Sequence, residues 1–207
     1  MSLDSAQLYL VAPARLTAGR LADLVGELAG AGVDLIQLRE KDLEARDVLR
    51  AAEPVVSACR AAGIPFIIND RPDIALALGA DGVHLGQNDL PVEVARRVCP
   101  EAIVGLSTHA PGEIDAVTRA DVSYFAVGPV EATPTKPGRP AAGIDLIRYA
   151  SRTTGSPWFA IGGINADNLD RVLEAGARRI VVVRAVTESR DPPAAAARLR
   201  SMLEGAP

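Results

Sequence analysis

Cysteine is scarce in this chain: Cys59 and Cys99 are two among 207 residues. Two thiols cannot frame a disulfide scaffold, and their spacing matches no metal-ligand pattern. Both read as buried thiols of a reducing compartment. Long apolar runs are also lacking. The unbroken aliphatic stretches span a few residues each, far short of the ~20 that cross a bilayer. The opening MSLDSAQLYLVAP has neither the basic start nor the extended apolar stretch of a signal peptide, so the expected compartment is the cytoplasm. Basic charge is not in excess: 22 Lys and Arg stand against 26 Asp and Glu, a net charge of −4. A field of that sign draws the chain to neither nucleic acid nor an anionic membrane. Low-complexity tracts, sequence repeats and linker-like stretches are missing as well, and residues 1–207 are expected to form one domain.

What is present is ordinary for a globular protein, 48% hydrophobic and 23% charged. A chain of this length buries a core without staples or a structural metal. Short β-branched runs alternate with longer Ala- and Leu-rich stretches of helical spacing. Strands are predicted near 7–12, 34–39, 65–69, 82–85, 102–107, 123–128, 158–162 and 179–184. Helices are predicted near 17–30, 43–61, 72–78, 91–98, 111–119, 144–151, 167–174 and 192–203, with Thr17, Asp42 and Pro91 as start signals and Gly63, Gly79 and Gly176 as stops. Eight strand–helix units imply a parallel sheet with helical crossovers and suit closure into a single-domain (β/α)8 TIM barrel. An open doubly wound sheet is the rival, but it rarely needs eight units.

A barrel of this kind keeps its active site where the strands end and the βα loops begin. Polar residues collect there. The second strand runs into Gln37, Arg39, Glu40, Lys41 and Asp42, and the third into Asn69 and Asp70. Gly86, Gln87, Asn88 and Asp89 follow the fourth, and Ser107, Thr108 and His109 the fifth. The sixth leads to Gly128 and then Thr133, Thr135 and Lys136; the seventh ends in Gly162 and Gly163, the eighth in Arg184. Taken singly, these residues read first as a solvated charge run opening a helix and as turns and helix caps. Arg39, however, alternates with Gln37 on an apolar strand and so should face the mouth. With Lys41 it makes two cations in one place, as a diphosphate requires. Asp70 and Asp89 are expected to end neighbouring strands ~5 Å apart. Such a pair suits a hard cation such as Mg²⁺ or a general acid/base couple, and the adjacent cations favour the metal. Gly162 and Gly163, with the backbone of Val183 and Arg184, match the phosphate site that barrels build from their last two loops. Thr133, Thr135 and Lys136 extend that pocket, or else TPTKPG is a rigid surface loop. His84, in mid-strand, reads as an interior residue, His109 as a residue placed to act or to orient a loop, and Trp158 as packing.

The segments QLREKD, INDRPDIALALGADGVHLGQNDLP, GLSTHA, GPVEATPTKPG and AIGGIN occur in the order found in thiamine phosphate synthases, and the chain resembles that family over essentially its whole length. IGGI is shared with other phosphate-binding barrels; REKD, HLGQxD and TxTK together are specific. The resemblance implies a (β/α)8 barrel that joins hydroxymethylpyrimidine diphosphate to a thiazole phosphate, releases pyrophosphate and requires Mg²⁺. It implies a pyrimidine diphosphate site of Gln37, Arg39, Lys41, Asn69, Ser107 and Lys136, in which Arg39, Lys41, Ser107 and Lys136 carry the catalysis. It assigns Mg²⁺ to Asp70 and Asp89, and the thiazole phosphate to Thr133, Thr135, Gly163, Val183 and Arg184. Arg184 departs from the family, where a serine is common. Two rivals share the barrel: a thiazole tautomerase, which uses a histidine on the strand-six loop where this chain has Pro129, and a non-catalytic module that binds thiamine precursors. The expected partners are small molecules, and the sequence sets no oligomeric state.

Overall fold

Strands that are apolar at nearly every position must be covered on both faces, and a closed parallel barrel inside a ring of helices achieves this. The computed structural model describes residues 3–132 and 141–205. Eight parallel strands form the barrel: β1 (Leu8–Ala12), β2 (Leu35–Leu38), β3 (Phe66–Asn69), β4 (Gly82–Leu85), β5 (Ile103–Thr108), β6 (Tyr124–Val127), β7 (Trp158–Ile161) and β8 (Ile180–Val182). Each pairs with its sequence neighbour, and β8 closes on β1 with Leu8 opposite Ile180. The expected (β/α)8 barrel is therefore the observed fold. Helices α1 (Leu21–Gly30), α2 (Ala45–Ala62), α3 (Pro72–Leu78), α4 (Val92–Val98), α5 (Pro111–Val117), α6 (Ile144–Thr153), α7 (Leu169–Glu174), α8 (Arg184–Thr187) and α9 (Pro192–Glu204) surround it.

Strand alternation sorts the core into two bodies. Tyr9, Val11, Leu35, Ile67, Tyr124, Phe159 and Val181 fill the lumen. Their neighbours along the same strands, Leu8, Leu10, Ile36, Leu38, Phe66 and Ile68 among them, pack outward against the helices. Inside, the rings of Tyr9, Tyr124 and Phe159 meet edge to face with centroids 5.5 to 5.7 Å apart. These three rings form a floor beneath the mouth. Cys59, Cys99 and Trp158 are buried, as the sequence indicates.

Three local expectations need correction. Thr17 does not start a helix. Arg15–Leu16 and Gly19–Arg20 form a two-stranded hairpin, the Thr17 amide donates to Thr187 O at 3.0 Å, and α1 begins at Leu21. Asp42 does not cap α2, which begins at Ala45 after an extended Glu44. Arg184 does not close the last strand. β8 ends at Val182, Val183 turns away with φ −127° and ψ −94°, and Arg184 opens the short α8. Among the described residues, no helix is long and apolar enough to cross a membrane.

Candidate active site

The C-terminal ends of the strands open on two adjoining cavities. The first, of about 290 Å³, lies over β2 to β5 and is lined by Gln37, Arg39, Lys41, Asn69, Asp70, Asp89, Ser107 and His84, among others. Asp70, one residue past β3, holds φ +64°, the only positive φ of a non-glycine among the described residues. Lys41 Nζ lies 3.1 Å from its carboxylate. Burial pushes the Asp70 carboxyl above the usual range, the Asp89 carboxyl beside it pushes it further, and Lys41 opposes both. Asp89 does not end a strand, contrary to expectation. It sits beyond β4 in a turn that its own side chain closes, Oδ2 accepting the Gly86 N–H at 2.6 Å, and this turn carries the carboxylate back to Asp70. Glu40, from the same charged segment as Arg39 and Lys41, is structural: its Oε1 accepts the Ala14 N–H at 2.7 Å and ties the loop to the hairpin.

The second cavity, of about 300 Å³, lies over β6 to β8 and is lined by Gly128, Pro129, Gly162, Gly163, Arg184 and Ala185, among others. Gly162 and Gly163 hold φ +102° and +73°. Built Cβ atoms there would stand 2.4 Å from Pro129 Cβ and 2.6 Å from Glu131 Cβ, so both conformation and space demand glycine. Val183, Arg184 and Ala185, at the start of α8, line this cavity with the two glycines, and the first amides of a helix have no carbonyl to meet within it. The Arg184 side chain is exposed and pairs with no carboxylate among the described residues, Glu188 included.

Ser107, His109, Ile161 and Val183 line both cavities and so form a seam between them. Glu113 Oε2 accepts the His109 N–H at 2.7 Å and lies 3.1 Å from His109 Nδ1, which fixes the loop after β5. Gln87 Nε2 donates to Ser107 O at 2.7 Å and ties the loop after β4 to the end of β5.

With this geometry in place, the comparisons with known proteins are decisive. A family model described as thiamine monophosphate synthase matches residues 8–186. The chain belongs to the thiamine monophosphate synthase family. It is 51% identical to the thiamine-phosphate synthase of Acidothermus cellulolyticus, over 99% of this chain and 98% of that one. It is 54% identical to the thiamine-phosphate synthase of Thermobifida fusca, over 99% and 95%. The solved thiamine phosphate pyrophosphorylase of Pyrococcus furiosus superposes with a TM-score of 0.87 at 32% identity, covering 98% of this chain and 97% of that one.

Of the residues that the family resemblance singles out, Gln37, Arg39, Lys41, Asn69, Asp70, Asp89 and Ser107 come together in the first cavity. Gly163, Val183 and Arg184 come together in the second. Thr133, Thr135 and Lys136 lie outside the described residues. Sequence reasoning passed over Tyr9 and Tyr124, which stand directly beneath the family's site. Tyr9 Oη accepts from Gln37 Nε2 at 2.6 Å and lies 2.8 Å from Tyr124 Oη. Tyr124 Oη in turn lies 3.0 Å from His84 Nδ1, and His84 Nε2 lies 3.0 Å from Ser107 Oγ. The available signal was a hydroxyl-bearing ring at an inward position of each of two otherwise apolar strands.

Proposed function

We propose that the first cavity takes the pyrimidine diphosphate and the second the thiazole phosphate, and that the two substrates meet at the seam. The chain is a transferase of thiamine biosynthesis that forms thiamine monophosphate with release of pyrophosphate. The observation that carries the two-site reading is the seam itself: one cavity rich in cations and carboxylates and one rich in glycine amides share Ser107, His109, Ile161 and Val183. Two ligands bound there would be in contact, which replaces a bimolecular encounter by a fixed geometry.

In this reading Gln37, Asn69 and Ser107 hold the pyrimidine, and Arg39 and Lys41, joined by Lys136, hold the diphosphate. The crowded carboxylates of Asp70 and Asp89 fit a hard divalent cation that takes few protein oxygens and leaves the rest to phosphate. Mg²⁺ at Asp70 and Asp89 would supply further neutralisation of the charge that develops on the departing pyrophosphate. The electron-rich aminopyrimidine stabilises a methylene cation once the C–O bond to the diphosphate breaks. The thiazole nitrogen then forms the new C–N bond, and no protein nucleophile is needed. The chain's own residues act by placing the partners and by presenting fixed positive charge to the leaving group. Gly163, Thr133, Thr135 and the backbone of Val183 and Arg184 hold the thiazole phosphate. The protein works as one barrel domain in the cytoplasm, on small molecules.

Mixing both substrates with the protein and Mg²⁺ tests the reading directly. Stoichiometric pyrophosphate and thiamine monophosphate are expected. Isomerisation of the thiazole alone would make the protein a tautomerase, and binding without turnover would make it a module for thiamine precursors.

A further inference from the structure

Beneath the mouth, five side chains from five strands make one continuous hydrogen-bonded chain. It runs from Gln37 through Tyr9, Tyr124 and His84 to Ser107, with links of 2.6, 2.8, 3.0 and 3.0 Å. All five residues are buried, the least at 7% exposure, and no buried side-chain nitrogen or oxygen among the described residues lacks a partner. Both ends line the first cavity.

The direction of every proton follows from one end. Gln37 Nε2 donates to Tyr9 Oη, so the Tyr9 hydroxyl donates to Tyr124 Oη, the other partner it has. Tyr124 then donates to His84 Nδ1, which must be the bare nitrogen, and His84 carries its proton on Nε2 and donates to Ser107 Oγ. Burial pushes both phenols well above their ordinary range, so neither breaks the sequence by ionising. The Ser107 hydroxyl proton is left for the mouth. At the other end Gln37 Oε1 is left as an acceptor. With the His84 imidazole neutral, the chain has one alternative arrangement, in which the amide turns over, the histidine changes tautomer and every link reverses. Gln37 then offers N–H groups to the mouth, and Ser107 spends its proton on His84. The two ends change together or not at all.

We propose that Tyr9, Tyr124 and His84 are positioning residues that couple Gln37 to Ser107, so that the site selects a pyrimidine bringing a donor to Gln37 and an acceptor to Ser107. An exocyclic amino group meets Gln37 Oε1, while a ring nitrogen or diphosphate oxygen of the same molecule meets the Ser107 hydroxyl. A 4-oxo pyrimidine presents an acceptor at Gln37. Turning the amide to suit it reverses the chain and withdraws the Ser107 proton, so one mismatch always remains. A lone glutamine would adapt by a simple flip; a glutamine wired to Ser107 does not. The inference rests on the placement of the pyrimidine diphosphate in the first cavity.

Tyr124→Phe removes the central oxygen and keeps the ring. The assay is the ratio of kcat/KM for the 4-amino substrate to that for its 4-oxo analogue, at saturating thiazole phosphate. One uncoupled buried hydrogen bond corresponds to a fall in that ratio of about tenfold or more. The KM for thiazole phosphate should stay unchanged. Tyr9→Phe, which cuts the chain beside Gln37, should lower the ratio in the same way. A purely structural role would depress both analogues alike and leave the ratio where it was, and that result overturns the proposal. Nitrogen NMR of the unaltered protein reads the chain without any turnover, and the chain's two histidines keep the spectrum simple. A His84 proton on Nε2 is expected, and one on Nδ1 overturns the derived direction. If the unaltered protein fails to condense the 4-amino substrate, the fault lies in the substrate placement, and the tautomer still decides the chain.

Discussion

Gly105 is a position where the lumen has no room for a side chain, and Gly105→Ala should measure how tightly the site's floor is built. Gly105 pairs in register with His84 on one side and Tyr124 on the other. A Cβ there would stand 2.3 Å from Tyr124 Cζ, 2.5 Å from Tyr124 Oη and 2.6 Å from His84 Nδ1. None of these atoms can yield alone, because Tyr124 is wedged against Tyr9 and Phe159. Overpacking of this kind costs ~1–3 kcal/mol. Prising Tyr124 from His84 leaves buried polar groups unmatched at a further ~1–3 kcal/mol. Alanine also restricts the unfolded chain, which returns ~0.4–1 kcal/mol. The net loss is ~1–6 kcal/mol, and at ~2.1 cal/mol/K per residue a chain of 207 residues then melts ~2–13 °C lower. Scanning calorimetry measures the shift. Gly26→Ala is the control: Gly26 lies exposed within α1, its built Cβ meets nothing within 4 Å, and a rise of ~1–2 °C is expected there. An unchanged Tm in Gly105→Ala would refute the picture of a filled, rigid floor. A loss of affinity for the pyrimidine diphosphate should accompany the destabilisation, since the displaced rings carry Gln37 and Ser107.

Asp89→Asn should lower turnover by ~10²-fold with partial recovery in excess Mg²⁺, and full activity in chelating buffer would exclude metal ligation there. Burial first, and Asp89 next, raise the Asp70 carboxyl. Its contribution to stability is therefore complete below the ordinary carboxylate range and is lost as pH rises through the raised value. Asp70→Asn should accordingly gain Tm over the parent as pH climbs from acid to neutral in chelating buffer, and a gap that does not widen with pH contradicts this. Arg39→Lys and Lys136→Ala should leave stability within ~1 kcal/mol while turnover collapses, because a point charge cannot replace a bidentate one and a missing charge cannot be replaced at all. Arg184→Ser should raise the KM for thiazole phosphate only a few-fold, as its side chain is exposed and the proposed phosphate contact is made by the backbone. A hundredfold rise with kcat preserved would make the guanidinium the ligand.

Much of the barrel is legible in the sequence because its strands are apolar runs with little ambiguity of period. LYLVA, FIIN and YFAV can be little else than strands buried on both faces, and Gly63 and Gly79 end their helices in the left-handed conformation that favours glycine. Two of the errors fall on elements too short to carry a period, the hairpin of two-residue strands at Arg15–Arg20 and the four-residue α8, and a third on the start of α2, where Asp42 offers a capping side chain that the structure does not use. Val183 continues a β-branched run in sequence, yet its backbone has already left the strand.

The sequence by itself also placed the polar rim, since a residue just past a parallel strand lies at the mouth whatever the details of packing. Closure of the barrel decided the rest. Only in three dimensions does the turn closed by Asp89 bring its carboxylate beside Asp70, and only there do two cavities share Ser107 and His109. The buried chain was illegible for the same reason. Tyr9 and Tyr124 are 115 residues apart and Tyr124 and His84 are 40 apart, so no spacing rule connects them. Their hydroxyls meet because strand alternation turns each inward and the closed sheet brings opposite walls of the lumen within reach of one another, a consequence of tertiary geometry that local sequence does not encode.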